Sequence, residues 1–234
     1  MIRLPDPQQY DDPIRYFRDC HGVVGSVVDR FEKLLASARE NGVAKSFASN
    51  PSWEELLQFF VHAAPIHERD EERALFPIVL EKVPHLGFQS KGSPSRFIHD
   101  EHEAMQQRSK ALLSLWKAYL AQKSLTPEDE AKYLETAEEL IALYREHIAR
   151  ENTIIYTTAN DNLLSPVERI AIMLLVREQH SEKSVMPVLG FLNNPYEEVS
   201  ETADTEAISE DQLESSIDEE DDGDDGDEEE NRMM

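Results

Sequence analysis

The chain has 234 residues, enough for one sizeable domain or two small ones, and 40% of them are apolar. Its 48 acidic side chains outnumber the 23 basic ones, and a net charge of −25 argues against nucleic-acid binding. The single cysteine, Cys20, excludes an intrachain disulfide and favours a reducing compartment. The N-terminus lacks an apolar signal segment, and no apolar run approaches the roughly 18 residues that span a membrane. We therefore expect a cytoplasmic protein.

The negative charge is concentrated at the C-terminus. Residues 197–234 hold 19 acidic side chains and one basic side chain, whereas residues 1–196 hold 29 and 22, a net charge of −7. Such a segment cannot bury enough apolar surface to offset the conformational entropy of folding. We expect a folded domain over residues 1–195 and a disordered acidic tail over 196–234. The tail either keeps the protein soluble or engages a basic protein partner or cations.

Proline and capping residues mark the helix starts in chain order. Proline is favoured at the first helical position after a Ser, Thr or Asp cap. Four such pairs occur: Asp12-Pro13, Ser93-Pro94, Thr126-Pro127 and Ser165-Pro166. Ser52 predicts a further start, with Glu55 completing a capping box.

The segments after these starts carry apolar residues at three- and four-residue spacing, and none alternates as a strand does. The sequence predicts helices over residues 13–39, 52–83, 94–123, 127–160 and 166–187, with connections over 41–51 and 84–92. Two prolines, Pro65 and Pro77, fall inside the second predicted helix. Pro65 either kinks that helix or marks a wrongly placed boundary, and Pro77 marks its last turn or a bend.

A short motif occurs twice. His67 and Glu71 stand four residues apart, and His147 and Glu151 repeat that spacing 80 residues later. Residues four apart lie on one face of a helix, so each pair can direct an imidazole and a carboxylate into one cavity.

Each pair is also preceded by a lone histidine. His21 stands 46 residues before His67, and His102 stands 45 before His147. The candidate ligands therefore form two matching sets: His21, His67 and Glu71; His102, His147 and Glu151. A third match, His99 with Glu103, is out of register and is set aside. The repeat predicts an all-α, up-down-up-down four-helix bundle with a fifth C-terminal helix.

Buried imidazoles and carboxylates are costly without partners, so this register favours a metal site. Mixed His and Glu ligation suits iron, or less well manganese, better than structural zinc. Two glutamates from opposite helices can each bridge two cations, with two histidines completing each side. The sequence thus predicts a dinuclear centre with an open position for a small ligand such as dioxygen.

Three neighbours of the motif have ordinary interpretations. Glu68 is interpreted as an exposed helical residue, with an alternative role as an additional ligand. Cys20 points away from His21 on the helix and is predicted to be a small core residue. Tyr144 lies one turn before His147 and is predicted to belong to the aromatic core.

The run from His67 to Pro77, HERDEERALFP, resembles the HxxxEExxLFP signature of the hemerythrin-like, HHE cation-binding domains. The run from His147 to Glu151, with Tyr156 at the position of Phe76, resembles a degenerate second copy. The resemblance covers about residues 10–190, including the contexts Asp-Cys-His and Asp-Glu-His of the two lone histidines. It implies a four-helix bundle around a non-heme di-iron site.

One position departs from the oxygen-carrying members of that family, because Gln106 stands where they have a fifth histidine. The chain is more similar to the branch with four histidines and two glutamates. The resemblance implies a protein that binds, senses or buffers dioxygen, nitric oxide or iron. One alternative is an enzyme that reduces nitric oxide or peroxide or supports iron–sulfur repair. A second alternative is an interaction protein whose acidic tail binds a basic partner and whose metal site controls that binding.

Overall fold

The computed structural model describes residues 2–83 and 94–181. This part of the chain contains a short 3₁₀ turn, Pro7–Gln9, and six helical elements without strands. The helices are α1 (Pro13–Asn41), α2 (Val43–Ser49), α3 (52–82), α4 (Pro94–Gln122), α5 (127–163) and α6 (Pro166–Gln179). The all-α prediction is confirmed. The predicted domain boundary after residue 195 and the acidic tail lie outside the described residues.

Three predicted helix starts are observed with their caps. Asp12 Oδ1 accepts a hydrogen bond from the backbone N–H of Ile14 at 3.1 Å, at the start of α1. Thr126 caps α5 through the N–H of Asp129, and Ser165 forms a capping box with Glu168 at the start of α6. These side chains satisfy N–H groups that the first helical turn leaves unpaired. The fourth cap, Ser93, lies outside the described residues.

The connection predicted over residues 41–51 is wrong in part, because the short helix α2 occupies most of it. The capping box predicted at Ser52 is also wrong. Ser52 is the first residue of α3, and its N–H donates to the side chain of Asn50 at 3.0 Å. The asparagine two residues earlier therefore takes the role that was assigned to Ser52.

Two apolar clusters divide the bundle along its length. The Trp53 cluster comprises buried apolar residues within 24–47, 53–64, 105–119 and 133–144. The Phe17 cluster comprises those within 14–20, 74–79, 155–164 and 172–176, together with Ile98. Along α1 the chain passes from the Phe17 cluster to the Trp53 cluster, α3 reverses that order, α4 restores it and α5 reverses it again. The up-down-up-down direction follows from this alternation.

The four long helices form a closed ring of contacts, in which α1 packs on α3 and α5, and α4 packs on the same two helices. Each helix therefore presents one face to a shared interior. Between the two apolar clusters lies a polar layer, formed where His21, His67, His102 and His147 occur in their helices.

Helix α3 continues through both of its internal prolines. A π-helical turn over Phe59–Ala63 ends two residues before Pro65, and a second over Glu71–Leu75 ends two residues before Pro77. Proline lacks an N–H and its ring crowds the carbonyl of the preceding turn, which a wider turn relieves. The interpretation of Pro65 as a wrongly placed boundary is wrong, since the helix does not end there.

The fifth predicted helix is observed as α6, and one of its faces is buried. Ile172, Met173 and Val176 are buried, whereas Ile170 and Leu174 are more than half exposed. The described helix ends at Gln179, and residues 182–187 of the prediction lie outside the described residues. Within residues 2–83 and 94–181, no helix combines the length and apolar character needed to cross a membrane.

Candidate metal centre

The six candidate ligands come together in the polar layer between the two clusters. All are at least 96% buried: His21, His67, Glu71, His102, His147 and Glu151. Each comes from one of the four long helices, with α3 and α5 supplying the His and Glu pairs and α1 and α4 the lone histidines. The repeat register of the sequence is thus reproduced in space.

Glu71 lies among histidines of both repeats. Its Oε1 is 3.3 Å from His67 Nε2 and 3.7 Å from His21 Nε2. Its Oε2 is 3.7 Å from His102 Nε2. The two oxygens of this carboxylate therefore face different halves of the layer, as a bridging carboxylate does.

Glu151 has a related arrangement. Its Oε2 is 3.0 Å from His21 Nε2 and 3.2 Å from His147 Nε2, and its Oε1 is 3.8 Å from His102 Nε2. His102 Nε2 and His147 Nε2 lie 3.3 Å apart. Ligand atoms of His21, Glu71, His147 and Glu151 all lie within 4.8 Å of one another. His67 lies next to Glu71, and His102 lies near both carboxylates.

Several potential metal-ligand atoms in this layer have no hydrogen-bond partner within the described part of the chain. They are both ring nitrogens of His67, Oε2 of Glu71 and both carboxylate oxygens of Glu151. Their close neighbours lie within ion-pair distance without hydrogen-bonding geometry. Buried polar atoms almost always have a hydrogen-bond partner, so this concentration of unpaired nitrogen and oxygen atoms is unusual. Imidazole nitrogens and carboxylate oxygens that converge without bonding one another fit a site for cations with mixed N and O ligation.

In the metal-free layer, burial and neighbouring charges shift the pKa values of four ligand residues. Burial and the neighbouring charge of Glu151 raise the pKa of Glu71 well above the ordinary carboxyl value. Burial also opposes the charge on Glu151, but His147 and His21 outweigh it and hold the pKa of Glu151 well below its usual range. Burial lowers the pKa of His67, whereas Glu151 outweighs burial and raises the pKa of His147. Without cations, Glu71 and Glu151 therefore compete for the same imidazoles. Bound cations would take the place of those imidazoles as partners of the two carboxylates.

Each glutamate begins a π-helical turn. The carbonyl of Glu71 accepts from the N–H of Phe76, and that of Glu151 accepts from the N–H of Tyr156, five residues later in each case. Single π turns occur frequently at functional sites, because the extra residue redirects the side chains around it. The helix is therefore distorted in the same way at both candidate bridging glutamates, which occupy equivalent positions of the two repeats.

The outer ring nitrogens of three histidines are held by polar side chains. His21 Nδ1 is 3.3 Å from Asn152 Oδ1, and His147 Nδ1 is 3.3 Å from Glu101 Oε2. His102 Nδ1 is 2.8 Å from Glu72 Oε1. Such contacts fix the orientation of an imidazole and leave Nε2 to face the centre. Sequence reasoning did not assign these partners, although Glu72 belongs to the signature run and Glu101 precedes His102 directly.

Tyr156 is a further residue that sequence reasoning did not place in the site. Its phenol donates to Glu71 Oε1, lies 3.3 Å from His21 Nε2, and its ring stacks on His21 with centroids 5.0 Å apart. Burial raises the pKa of Tyr156 well above the usual phenol value, so the hydroxyl keeps its proton. The sequence offered one signal for this residue, its register: Tyr156 stands at the position of the second repeat that corresponds to Phe76 in the first.

The interpretation of Glu68 as an exposed residue is wrong. Glu68 is 2% exposed, accepts a hydrogen bond from Gln106 Nε2 at 2.8 Å and lies 3.5 Å from the hydroxyl of Tyr144. Burial raises the pKa of this carboxyl group. Gln106 stands where the oxygen-carrying members have a fifth histidine. Here its side chain binds Glu68, a further buried carboxylate next to the candidate centre.

The remaining neighbours lie as the sequence indicated. His99 is half-exposed and binds Glu72 at 3.0 Å, outside the converging set. Cys20 is fully buried in the Phe17 cluster, and Tyr144 is buried in the Trp53 cluster.

Comparison with known proteins agrees with this architecture. The model of the hemerythrin HHE cation binding domain matches residues 12–159, a span that includes all six candidate ligands. A protein of Haemophilus influenzae described as uncharacterized is 25% identical over 156 residues, which cover 65% of this chain and 84% of that protein. No solved structure matches the chain significantly.

Proposed function

The chain belongs to the hemerythrin family of HHE cation-binding domains, and from this premise we propose that it is a non-heme di-iron protein that binds, senses or buffers a small diatomic ligand or iron itself. The observation that carries the proposal is the set of unsatisfied carboxylate and imidazole atoms that converge in a buried layer of the bundle. Two irons at this position would replace the missing partners of both glutamates.

In the proposed centre, His21 and His67 would hold one iron, and His102 and His147 would hold the other. Glu71 and Glu151 would supply carboxylate ligands to both, because each carboxylate lies near histidines of both repeats. When bound, the irons supply a redox change and a coordination position for dioxygen or nitric oxide. The protein positions the ligands through helix register and excludes bulk water with the two apolar clusters.

A second candidate is a reductive enzyme acting on nitric oxide or peroxide at the same centre. Tyr156 favours it, because its phenol, which donates to Glu71, keeps within the ligand layer a proton of the kind that a reductive reaction consumes. Turnover distinguishes the two functions, since a carrier or sensor binds its ligand once whereas an enzyme consumes it repeatedly.

Metal analysis and an optical spectrum of aerobically purified protein test the proposal. We expect two irons per chain and a charge-transfer band from an oxygen-bridged ferric pair. Glu71→Ala should abolish loading of two irons, because the bridge and its two contacts are lost. Glu103→Ala is the matched control, since Glu103 belongs to the HxxxE match outside the converging set. Unchanged loading in Glu71→Ala would exclude the proposed centre.

A further inference from the structure

The imidazoles of the second repeat are supported by carboxylates. His102 Nδ1 lies 2.8 Å from Glu72, and His147 Nδ1 lies 3.3 Å from Glu101. Both carboxylates also have cationic or polar partners, since Arg150 pairs with Glu101 and His99 lies 3.0 Å from Glu72. These contacts hold the two carboxylates in place against the outer ring nitrogens of His102 and His147.

The imidazoles of the first repeat lack this support. His21 Nδ1 meets only the neutral amide oxygen of Asn152, at 3.3 Å. Neither ring nitrogen of His67 has a hydrogen-bond partner among the described residues. A carboxylate behind an imidazole makes it a stronger metal ligand and fixes its orientation, and loss of such a partner typically costs 10- to 100-fold in metal affinity. The two pairs of histidines therefore differ as ligand sets.

Tyr156 adds to the difference on the same side. Its hydroxyl donates to Glu71 Oε1, the oxygen that faces His21 and His67, and it lies 3.3 Å from His21 Nε2. A hydrogen bond to a carboxylate oxygen withdraws electron density that a cation would otherwise use. The equivalent residue of the first repeat, Phe76, has no hydroxyl to act on the other half.

A surface cavity lies beside His21 of the first repeat. A surface cavity of about 490 Å³ between α1 and α5 is lined by Arg18, His21, Gly22, Ile148 and Asn152. Asn152 and His21 both line this cavity, and the amide oxygen of Asn152 lies 3.3 Å from Nδ1 of the His21 ring. Gly22 contributes no side chain there, and a Cβ added at that position would meet nothing within 4 Å.

We propose that the centre has two unequal metal positions: a tight one at His102 and His147, which fills first, and a weaker, exchanging one at His21 and His67. The inference rests on the proposed di-iron function and specifies how it responds to metal supply. The protein holds one ferrous ion constantly, and occupancy of the second position reports the available iron.

Anaerobic calorimetric titration of the metal-free full-length protein with Fe²⁺ tests this inequality. We expect two separate steps of one ion each, with affinities at least tenfold apart. Binding of two ions in one step with equal affinity would overturn the inequality and leave the di-iron function intact. Absence of binding would instead overturn the di-iron function.

Substitutions assign the steps to the two positions. Glu101→Gln should weaken the first step by roughly tenfold or more and leave the second unchanged. Asn152→Asp should strengthen the second step, because it places a carboxylate behind His21. Gln107→Glu is its matched control, since it adds the same charge at an exposed position of α4. Equal effects of Asn152→Asp and Gln107→Glu would show a response to net charge alone and contradict the assignment.

Tyr156→Phe provides an independent variant with the same helical scaffold. It should strengthen the second step and leave the first unchanged, and circular dichroism checks that each variant retains its helices. A weaker second step in this variant would contradict the role assigned to the phenol.

Discussion

Tyr156 donates a hydrogen bond to Glu71 across the bundle, although 85 positions separate the two residues in the chain. Both side chains are fully buried, and the phenol ring also stacks on His21. The contact joins the end of the second repeat to the carboxylate of the first. It gives Glu71 one defined partner in a layer where most carboxylate oxygens have none.

Tyr156→Phe removes this hydroxyl alone and should destabilise the metal-free protein. We expect a loss of about 1–2 kcal/mol, because the buried side chain of Glu71 loses its hydrogen-bond donor. Chemical denaturation of chelator-treated protein measures the change. Tyr133→Phe is the control, since the buried hydroxyl of Tyr133 has no hydrogen-bond partner in the described part of the chain. Its removal should cost nothing or stabilise the fold, so equal losses in both variants would contradict this account.

The two glutamates of the centre should affect the metal-free protein with opposite sign. The raised pKa of Glu71, caused first by burial, means that this group takes up a proton on folding. Its unfavourable effect grows as the pH rises above the unfolded carboxyl value of about 4.3 towards the raised one. Burial also opposes charge on Glu151, but His147 and His21 lower its pKa, so its favourable contribution is present at neutral pH and is lost as the pH falls through the lowered value.

Thermal unfolding of two variants near pH 7 checks these signs. Glu71→Gln should raise the melting temperature of the metal-free protein and reduce its decline with rising pH. Glu151→Gln should lower the melting temperature, because His147 and His21 lose the charge that they face. Shifts in the same direction for both variants would show that the two carboxylates are equivalent.

Cation loading should stabilise the fold, because the ligand atoms are assembled only in the native state. At a free Fe²⁺ concentration 100 times the dissociation constant, the gain is about 2.7 kcal/mol for one site. Differential scanning calorimetry of loaded and chelated protein measures it. Glu71→Ala should show a much smaller gain than Glu103→Ala, and equal gains would place the stabilising cation elsewhere.

Much of this architecture follows from local chemistry that is visible in the sequence. Proline and its preceding cap predict the starts of α1, α5 and α6, because the unpaired N–H groups of a first turn require those residue types. The HxxxE spacing predicts which side chains meet, since one α-helical turn separates His from Glu. The short helix α2 was missed because its length is near the limit of any periodic pattern.

The parts that were missed depend on tertiary contacts. An added residue in a π turn rotates everything after it by about 100° relative to a regular α-helix. A constant 3.6-residue period therefore does not place Tyr156, which follows the π turn at Glu151. The burial of Glu68 depends on Gln106, 38 positions away, and no local pattern connects the two.

Helix α6 is held to the bundle through a buried carboxylate, which gives a last prediction. Asp70 Oδ2 accepts a hydrogen bond from the hydroxyl of Tyr16 at 3.2 Å and lies 2.6 Å from Nε2 of His180, the residue that directly follows α6. Asp70→Ala should cost about 2–3 kcal/mol, because it leaves the buried phenol of Tyr16 unpaired. His180→Ala keeps that bond and should mainly increase hydrogen exchange in α6, whereas Glu178→Ala, at an exposed position of the same helix, should change neither quantity. Unchanged exchange of α6 in both Asp70→Ala and His180→Ala would mean that Ile172, Met173 and Val176 anchor the helix without this contact.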